Sequence, residues 1–145
     1  MYFKNADIFD FEVVYKYITE LWSYNVYDQN EIYEVYQHVL NDPNSFAFLL
    51  VDCDGTYKGF CHGTFFDTFW LSGKTCYLSS IITNSSERCK GYGHMLLDHV
   101  RELASSRGCK AIILDSGFSR TTAHRFYEHY GFTKNCYGFD LLSVN

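Results

Sequence analysis

The feature that most constrains this chain is a glycine-containing stretch, Arg88-Cys89-Lys90-Gly91-Tyr92-Gly93, set between an apolar run ending at Thr83 and a helical pattern opening at Met95. A strand delivered through a glycine turn to a helix start makes an anion site. The first N–H groups of a helix lack internal partners, and its dipole leaves partial positive charge there. Gly91 and Gly93, with no Cβ, can take positive φ and let a ligand oxygen approach the main chain, while Arg88 and Lys90 add cationic donors at the rim. The same residues also suit an ordinary glycine turn before a surface helix. The stretch lacks the Gly-Lys-Ser/Thr ending of a P-loop and the third glycine of a dinucleotide loop, so neither nucleotide motif fits.

A chain of 145 residues has room for a single domain, residues 1–145, with a real core. Its 47% hydrophobic and 20% charged residues suit a soluble globular protein, and 19% aromatic residues point to a bulky core or ring-lined clefts. The formal net charge of −5 argues against general nucleic-acid binding, which rests on many Lys and Arg contacts to phosphate. Six cysteines carry no C-x-x-C pair, so they read as reduced thiols with no metal site. No leader pattern opens the sequence and no apolar run approaches membrane-spanning length, so a cytoplasmic protein with no membrane partner is expected.

Taken in order, residues 2–5 suit a short strand, and Val14, Tyr17, Ile18, Leu21 and Trp22 form the apolar face of a helix that Asp10 is placed to cap. A second helix starts at Asp28, with Ile32, Val35, Tyr36, Val39 and Leu40 as its stripe, and ends at Pro43. Tyr24 and Tyr27 lie between the helices. Residues 46–51 and 58–66 read as a hairpin about Asp54-Gly55, and 67–74 as a loop whose Phe69, Trp70 and Leu71 are expected to be partly buried. Residues 76–83 form the strand leading to the glycine stretch. The next helix carries Leu96, Leu97, Val100, Leu103 and Ala104 on one face and closes at Gly108. Residues 111–114 read as a central strand parallel to 76–83, since a crossover helix joins them. A last helix, from Thr121 or Thr122 to Gly131, carries Ala123, Phe126, Tyr127 and Tyr130, and 132–134 with 137–142 are expected to form a closing hairpin.

Two motifs together give the chain a resemblance to the GNAT N-acetyltransferase superfamily over essentially its whole length. Arg88-x-x-Gly91-x-Gly93 after a strand matches the family's Arg/Gln-x-x-Gly-x-Gly/Ala signature, and Ala123-x-x-Phe126-Tyr127 leading to Tyr130-Gly131-Phe132 matches its later helix. The resemblance implies an α/β GNAT fold: a mixed central sheet of about six to seven strands, about four helices, and strands splayed at the acetyl-CoA site. Acetyl-CoA would be held by Ile82, Thr83, Arg88, Cys89, Lys90, Gly91, Tyr92, Gly93, His94, Arg120 and Tyr127, with the last as the acid that protonates the departing sulfur. Without the family, Tyr127 reads as a core aromatic on the apolar stripe.

The sequence departs from the family pattern at two places. Arg120 stands where members often have an Asn, and Ser79 and Ser80 occupy the region where many carry an acidic base. His62, on the preceding strand, is the candidate base, with Asp67 and a bound-water relay as alternatives. Tyr24, Tyr27 and Trp70 are the candidate acceptor contacts. The expected activity is acetyl transfer from acetyl-CoA, without a metal, to a primary amine of a small molecule, by direct attack in a ternary complex. The alternative is a non-catalytic acyl-CoA-binding sensor. Dimerisation is expected by analogy with the family.

Overall fold

Three long apolar segments between residues 45 and 83 pair as antiparallel strands, and the rest of the architecture is laid against them. The computed structural model describes residues 1–145, which form two compact units, Met1–Ile113 and Leu114–Asn145. The first contains β1 (Tyr2–Asn5), a 3-10 turn (Ile8–Asp10), α1 (Phe11–Leu21), α2 (Gln29–Asn41), β2 (Ser45–Val51), β3 (Tyr57–Thr68), β4 (Gly73–Thr83), a second 3-10 turn (Ser85–Glu87), α3 (Tyr92–Ser106) and β5 (Ala111–Ile113). The second contains α4 (Thr121–Tyr130). The five strands make one mixed sheet in the order β1-β2-β3-β4-β5, antiparallel except for the β4–β5 pair.

Alternation along the strands gives the sheet two apolar faces. Leu49, Val51, Phe60 and Ile82 pack with Val14 and Tyr17 of α1 and Tyr36 of α2. On the opposite face Phe48 meets His99 of α3 edge-on, and Phe3 stacks on the same imidazole at 4.1 Å. Leu96, Leu97 and Val100 of α3 are fully buried. Covering both faces is what a helix-bearing sheet requires.

The caps explain where the helices begin. Asp28 Oδ1 accepts from the main-chain N–H of Asn30 and Glu31, the predicted cap of α2. Asp10 precedes α1 as expected, but its side chain does not cap it. It is buried and accepts from Lys4 Nζ, from Tyr57 Oη at 2.9 Å and from the Asp7 N–H at 2.9 Å. Asp7 caps the preceding 3-10 turn.

Several sequence expectations are corrected. The sheet has five strands, not six or seven, because residues 132–145 form no strand. Tyr137, Phe139, Leu141 and Leu142 alternate partly as a strand would, yet all are exposed; alternation makes a strand only where a neighbouring strand takes its N–H and C=O groups. Residues 111–113 form a half-buried edge strand, not a central one, since no later strand joins the sheet beyond it. The expected loop 67–74 is a tight turn, because β3 and β4 stay paired out to Thr68 and Gly73. Its Phe69 and Trp70 are exposed, and Val35 lies outside the buried stripe of α2.

Candidate functional site

β4 carries the site. Its ladder with β5 covers only Thr75 to Tyr77, whereas its ladder with β3 runs on to Thr83. Beyond Tyr77, β5 no longer pairs with β4, and the strand continues through buried Ile82 and half-buried Thr83 toward the glycine stretch. The ladder stops there because β5 itself ends at Ile113.

Between β4 and α3 the main chain turns through two left-handed residues. Gly91, the N-cap of α3, has φ +82°, and Cys89 has φ +66°. Gly93 lies in the first turn of α3, which begins at Tyr92. A Cβ at Gly91 would meet nothing within 4 Å, so the main chain there is open to a ligand. No side chain caps α3 and no acidic residue sits in its first turn, leaving the terminal N–H groups available to an anion. Arg88, Cys89, Lys90, Gly91 and His94 are exposed, and Tyr92 and Gly93 half-buried. His94 Nδ1 lies 3.2 Å from Asp98 Oδ2.

Four residues that sequence reasoning did not assign to the site, Tyr17, Lys58, Asn84 and Glu87, hold the base of this loop. Lys58 of β3, only 8% exposed, donates to Glu87 Oε1 at 2.7 Å. Asn84 Nδ2 donates to the Tyr57 carbonyl at 2.8 Å and to Glu87 Oε2 at 3.3 Å. Asn84 Oδ1 accepts from Tyr17 Oη of α1 at 2.5 Å. The main chain joins in, with Asn84 N–H donating to the Lys58 carbonyl and Glu87 N–H to the Asn84 carbonyl, both at 3.1 Å. The hydrogen bond from Lys58 holds the Glu87 carboxyl below its ordinary pKa, and the same bond raises that of Lys58, so both stay charged near neutrality. Burial, with the Glu20 and Glu87 charges adding to it, pushes the Tyr17 phenol upward and keeps it a donor. The available signal was an acid directly before Arg88 in an otherwise cationic loop, which calls for a cation of its own.

A strand–loop–helix of this geometry, with residues 11–132 matching the acetyltransferase (GNAT) family, decides the family. The chain belongs to the GNAT family. The uncharacterized N-acetyltransferase YhdJ of Bacillus subtilis (strain 168) is 40% identical over 68 residues, 46% of this chain and 48% of YhdJ. The chain thus aligns with about half the length of that curated relative. Among solved structures, a transcriptional regulator from Bacillus halodurans C-125 superposes with a TM-score of 0.86 at 22% identity, covering 97% of each chain. An aminoglycoside N-acetyltransferase in complex with CoA gives 0.84 at 15% identity, covering 99% of this chain and 95% of that one. These similarities establish the mixed α/β GNAT fold.

The loop of this GNAT protein suits a phosphate group by its own chemistry: open main chain at Gly91, an uncapped helix start, two cationic side chains, and its one acid already engaged by Lys58. His62 and the serines lie on the adjacent strands β3 and β4. The register passes from Gly63↔Leu78 to His62↔Ser80, so Ser79 is an extra, bulged residue in β4. His62 is the cross-strand neighbour of buried Ser80 and shares a sheet face with Phe60 and Ile82. Burial lowers its imidazole pKa, favouring the neutral, proton-accepting form. Asp67 is exposed near the far end of β3.

The acceptor candidates are less closely grouped. Tyr24 is exposed and Tyr27 half-buried between α1 and α2, where Asn25 Nδ2 donates to Tyr27 Oη at 3.0 Å. Trp70, at the β3–β4 turn, has no ring contact or hydrogen bond to either tyrosine. In the second unit, Arg120 is the exposed residue preceding α4, and Tyr127 is buried within α4, its ring 5.5 Å from Phe126 and 5.8 Å from Phe132.

Proposed function

We propose that this GNAT protein is an acetyl-CoA-dependent N-acetyltransferase that moves acetyl directly to a primary amine of a small molecule in a ternary complex. The observation that carries this reading is β4 itself, which loses its β5 partner after Tyr77 yet continues to Thr83, from where a 3-10 turn leads to the open main chain at Gly91. The N–H groups at the start of α3, with Arg88 and Lys90, receive the pyrophosphate. The unpaired edge of β4 near Ile82 and Thr83 offers main-chain partners to the amides of the pantetheine arm. When bound, acetyl-CoA supplies the acetyl group as a thioester, whose transfer to an amine is already favourable. His62, held neutral by burial, takes a proton from the incoming ammonium. Tyr127 gives a proton to the departing sulfur, and Arg120 meets a phosphate. Tyr24, Tyr27 and Trp70 contact the acceptor. The chain works in this proposal as a single cytoplasmic domain that dimerises.

A non-catalytic acyl-CoA sensor is the competing reading, favoured by Ser79 and Ser80, where a carboxylate base is common in the family, and by Arg120, where an Asn is common. Thiol release from acetyl-CoA against a panel of polyamines, aminoglycosides and aminoalkylphosphonates separates the two. Turnover on one amine class is the expected result. Acetyl-CoA binding by calorimetry with no turnover on any amine would establish the sensor instead.

A further inference from the structure

We propose that Asn84 and the Lys58–Glu87 ion pair are the positioning machinery of the acetyl-CoA loop, setting the path of residues 88–91 from beneath it; this rests on the acetyl-CoA reading above.

The argument begins with strain. Cys89 is a non-glycine residue at φ +66°, a disfavoured conformation that must be imposed by its surroundings. Residues 88–90 are exposed, so packing of their own side chains cannot impose it. The loop is fixed instead at its two ends. One end is α3, whose first helical bond runs from the Met95 N–H to the Gly91 carbonyl at 3.1 Å. The other is the 3-10 turn Ser85–Glu87, bound through Asn84 and Glu87 to Tyr17 of α1 and to Tyr57 and Lys58 of β3. Every polar atom of the Asn84 side chain is used, and the ammonium it helps to place is nearly buried.

Charge alone gives the opposite expectation for Glu87. A carboxylate beside a phosphate loop repels the ligand, so neutralising it should tighten binding, the more so because Lys58 would be released and Lys90, 4.0 Å from Glu87, would lose its competing partner. If Lys58 were itself a phosphate ligand restrained by Glu87, the sign would be the same. If the pair positions the loop, Glu87→Gln takes away the 2.7 Å partner of Lys58 and leaves only the Asp52 carboxylate, 3.9 Å away, as its counter-charge, so the turn relaxes and the helix N–H groups no longer converge with Arg88 and Lys90. The sign of the effect therefore discriminates between the accounts.

The experiment is calorimetric titration with acetyl-CoA of wild type, Glu87→Gln, Lys58→Met, Lys58→Arg, Asn84→Ala and the Lys58→Met/Glu87→Gln double variant, well below each melting temperature. Glu87→Gln, Lys58→Met and Asn84→Ala should each raise Kd about tenfold or more. Lys58→Arg, which keeps the ion pair, should stay within about threefold of wild type, and the double variant should be no weaker than the worse single change. Should Asn84→Ala not fold, Tyr17→Phe, which removes only the hydroxyl that Asn84 accepts, should raise Kd by a smaller factor. Equal or tighter binding by Glu87→Gln overturns the proposal. A wild type that does not bind acetyl-CoA overturns the underlying reading of the loop, and that result is visible before any variant is made.

Discussion

The Asp10 carboxylate accepts the Tyr57 hydroxyl at 2.9 Å, joining the turn before α1 to the start of β3 across 47 positions of sequence. Burial by itself would raise the Asp10 pKa, but hydrogen bonds from Lys4, from the Asp7 N–H and from Tyr57 outweigh it and hold the group below its ordinary 3.8. A carboxylate depressed in the folded state stabilises the protein above its unfolded pKa, and that contribution is lost as pH falls through the folded value. Asp10→Asn should therefore cost about 1–3 kcal/mol at pH 7, discounted for the partly exposed Lys4. Urea denaturation of both proteins between pH 7 and pH 2 should show the gap shrinking only below about 4. A gap that is constant with pH would mean that the charge on Asp10 contributes nothing.

Gly63 sits opposite the β4 bulge with no room for a side chain. A Cβ there would lie 2.4 Å from Phe46 Cζ and 2.7 Å from the Tyr77 carbonyl oxygen. Gly63→Ala should destabilise by about 1–3 kcal/mol, as overpacking does, and adding Phe46→Leu should recover part of the loss because the ring is the closer obstacle. Thermal melts check this, and a neutral Gly63→Ala would show that the ring moves aside freely.

Gly91 is the reverse case, with free space but a restricted backbone. Gly91→Val should lower stability by about 1–2 kcal/mol, since a β-branched residue at φ +82° is strained. It should also weaken acetyl-CoA binding at least tenfold by placing two methyl groups where the main chain meets a phosphate oxygen. Calorimetry and melting curves measured together separate the two losses. Wild-type affinity in this variant would remove the pyrophosphate from the loop.

What could be read from the sequence follows a physical division. Strand, glycine turn and helix between residues 76 and 106 announce themselves through local periodicity, and Asp28 announces its cap because the groups it bonds are two and three residues away. Asp10 sits at an equally good capping position, yet its side chain answers to Lys4 and Tyr57, contacts that only the tertiary fold creates. The site divides the same way. The loop residues 88–94 were legible as a motif, while Glu87, Asn84, Lys58 and Tyr17 were not, because Lys58 lies 29 positions before Glu87 and Tyr17 lies 67 before Asn84. The expected hairpin after α4 failed for a related reason: Tyr137 and Phe139 carry a strand's pattern without a neighbouring strand to complete it.

If His62 takes the acceptor's proton, the rate should fall on the acid side as the imidazole charges. Burial lowers its pKa, so the limb should have its midpoint below the ordinary 6.5, with activity retained above it. The same shift makes neutral His62 a stability contribution that is present above 6.5 and lost as pH falls through the folded value. The profile of kcat/KM against pH for wild type and His62→Gln tests the assignment. An identical acid limb in both would transfer the role to Asp67 or to water.

The role proposed for Tyr127 is tested most directly by removing a single oxygen. Tyr127→Phe keeps the ring that packs 5.5 Å from Phe126 and 5.8 Å from Phe132, so the packing of α4 should survive. A Tyr127 that served only the core would lose at most a hydrogen bond worth about 1 kcal/mol, read as a small fall in melting temperature with turnover intact. A proton donor behaves differently, because the sulfur must then leave as the thiolate or find a water, and general-acid assistance is typically worth about 10²–10⁴-fold. The expected result is a kcat lowered by that factor with acetyl-CoA affinity within about threefold of wild type, the pattern of an interaction made in the transition state alone. The measurements are kcat with whichever amine first shows turnover, with Kd and melting temperature in parallel. Unchanged kcat would return Tyr127 to the core and leave protonation of the sulfur to solvent.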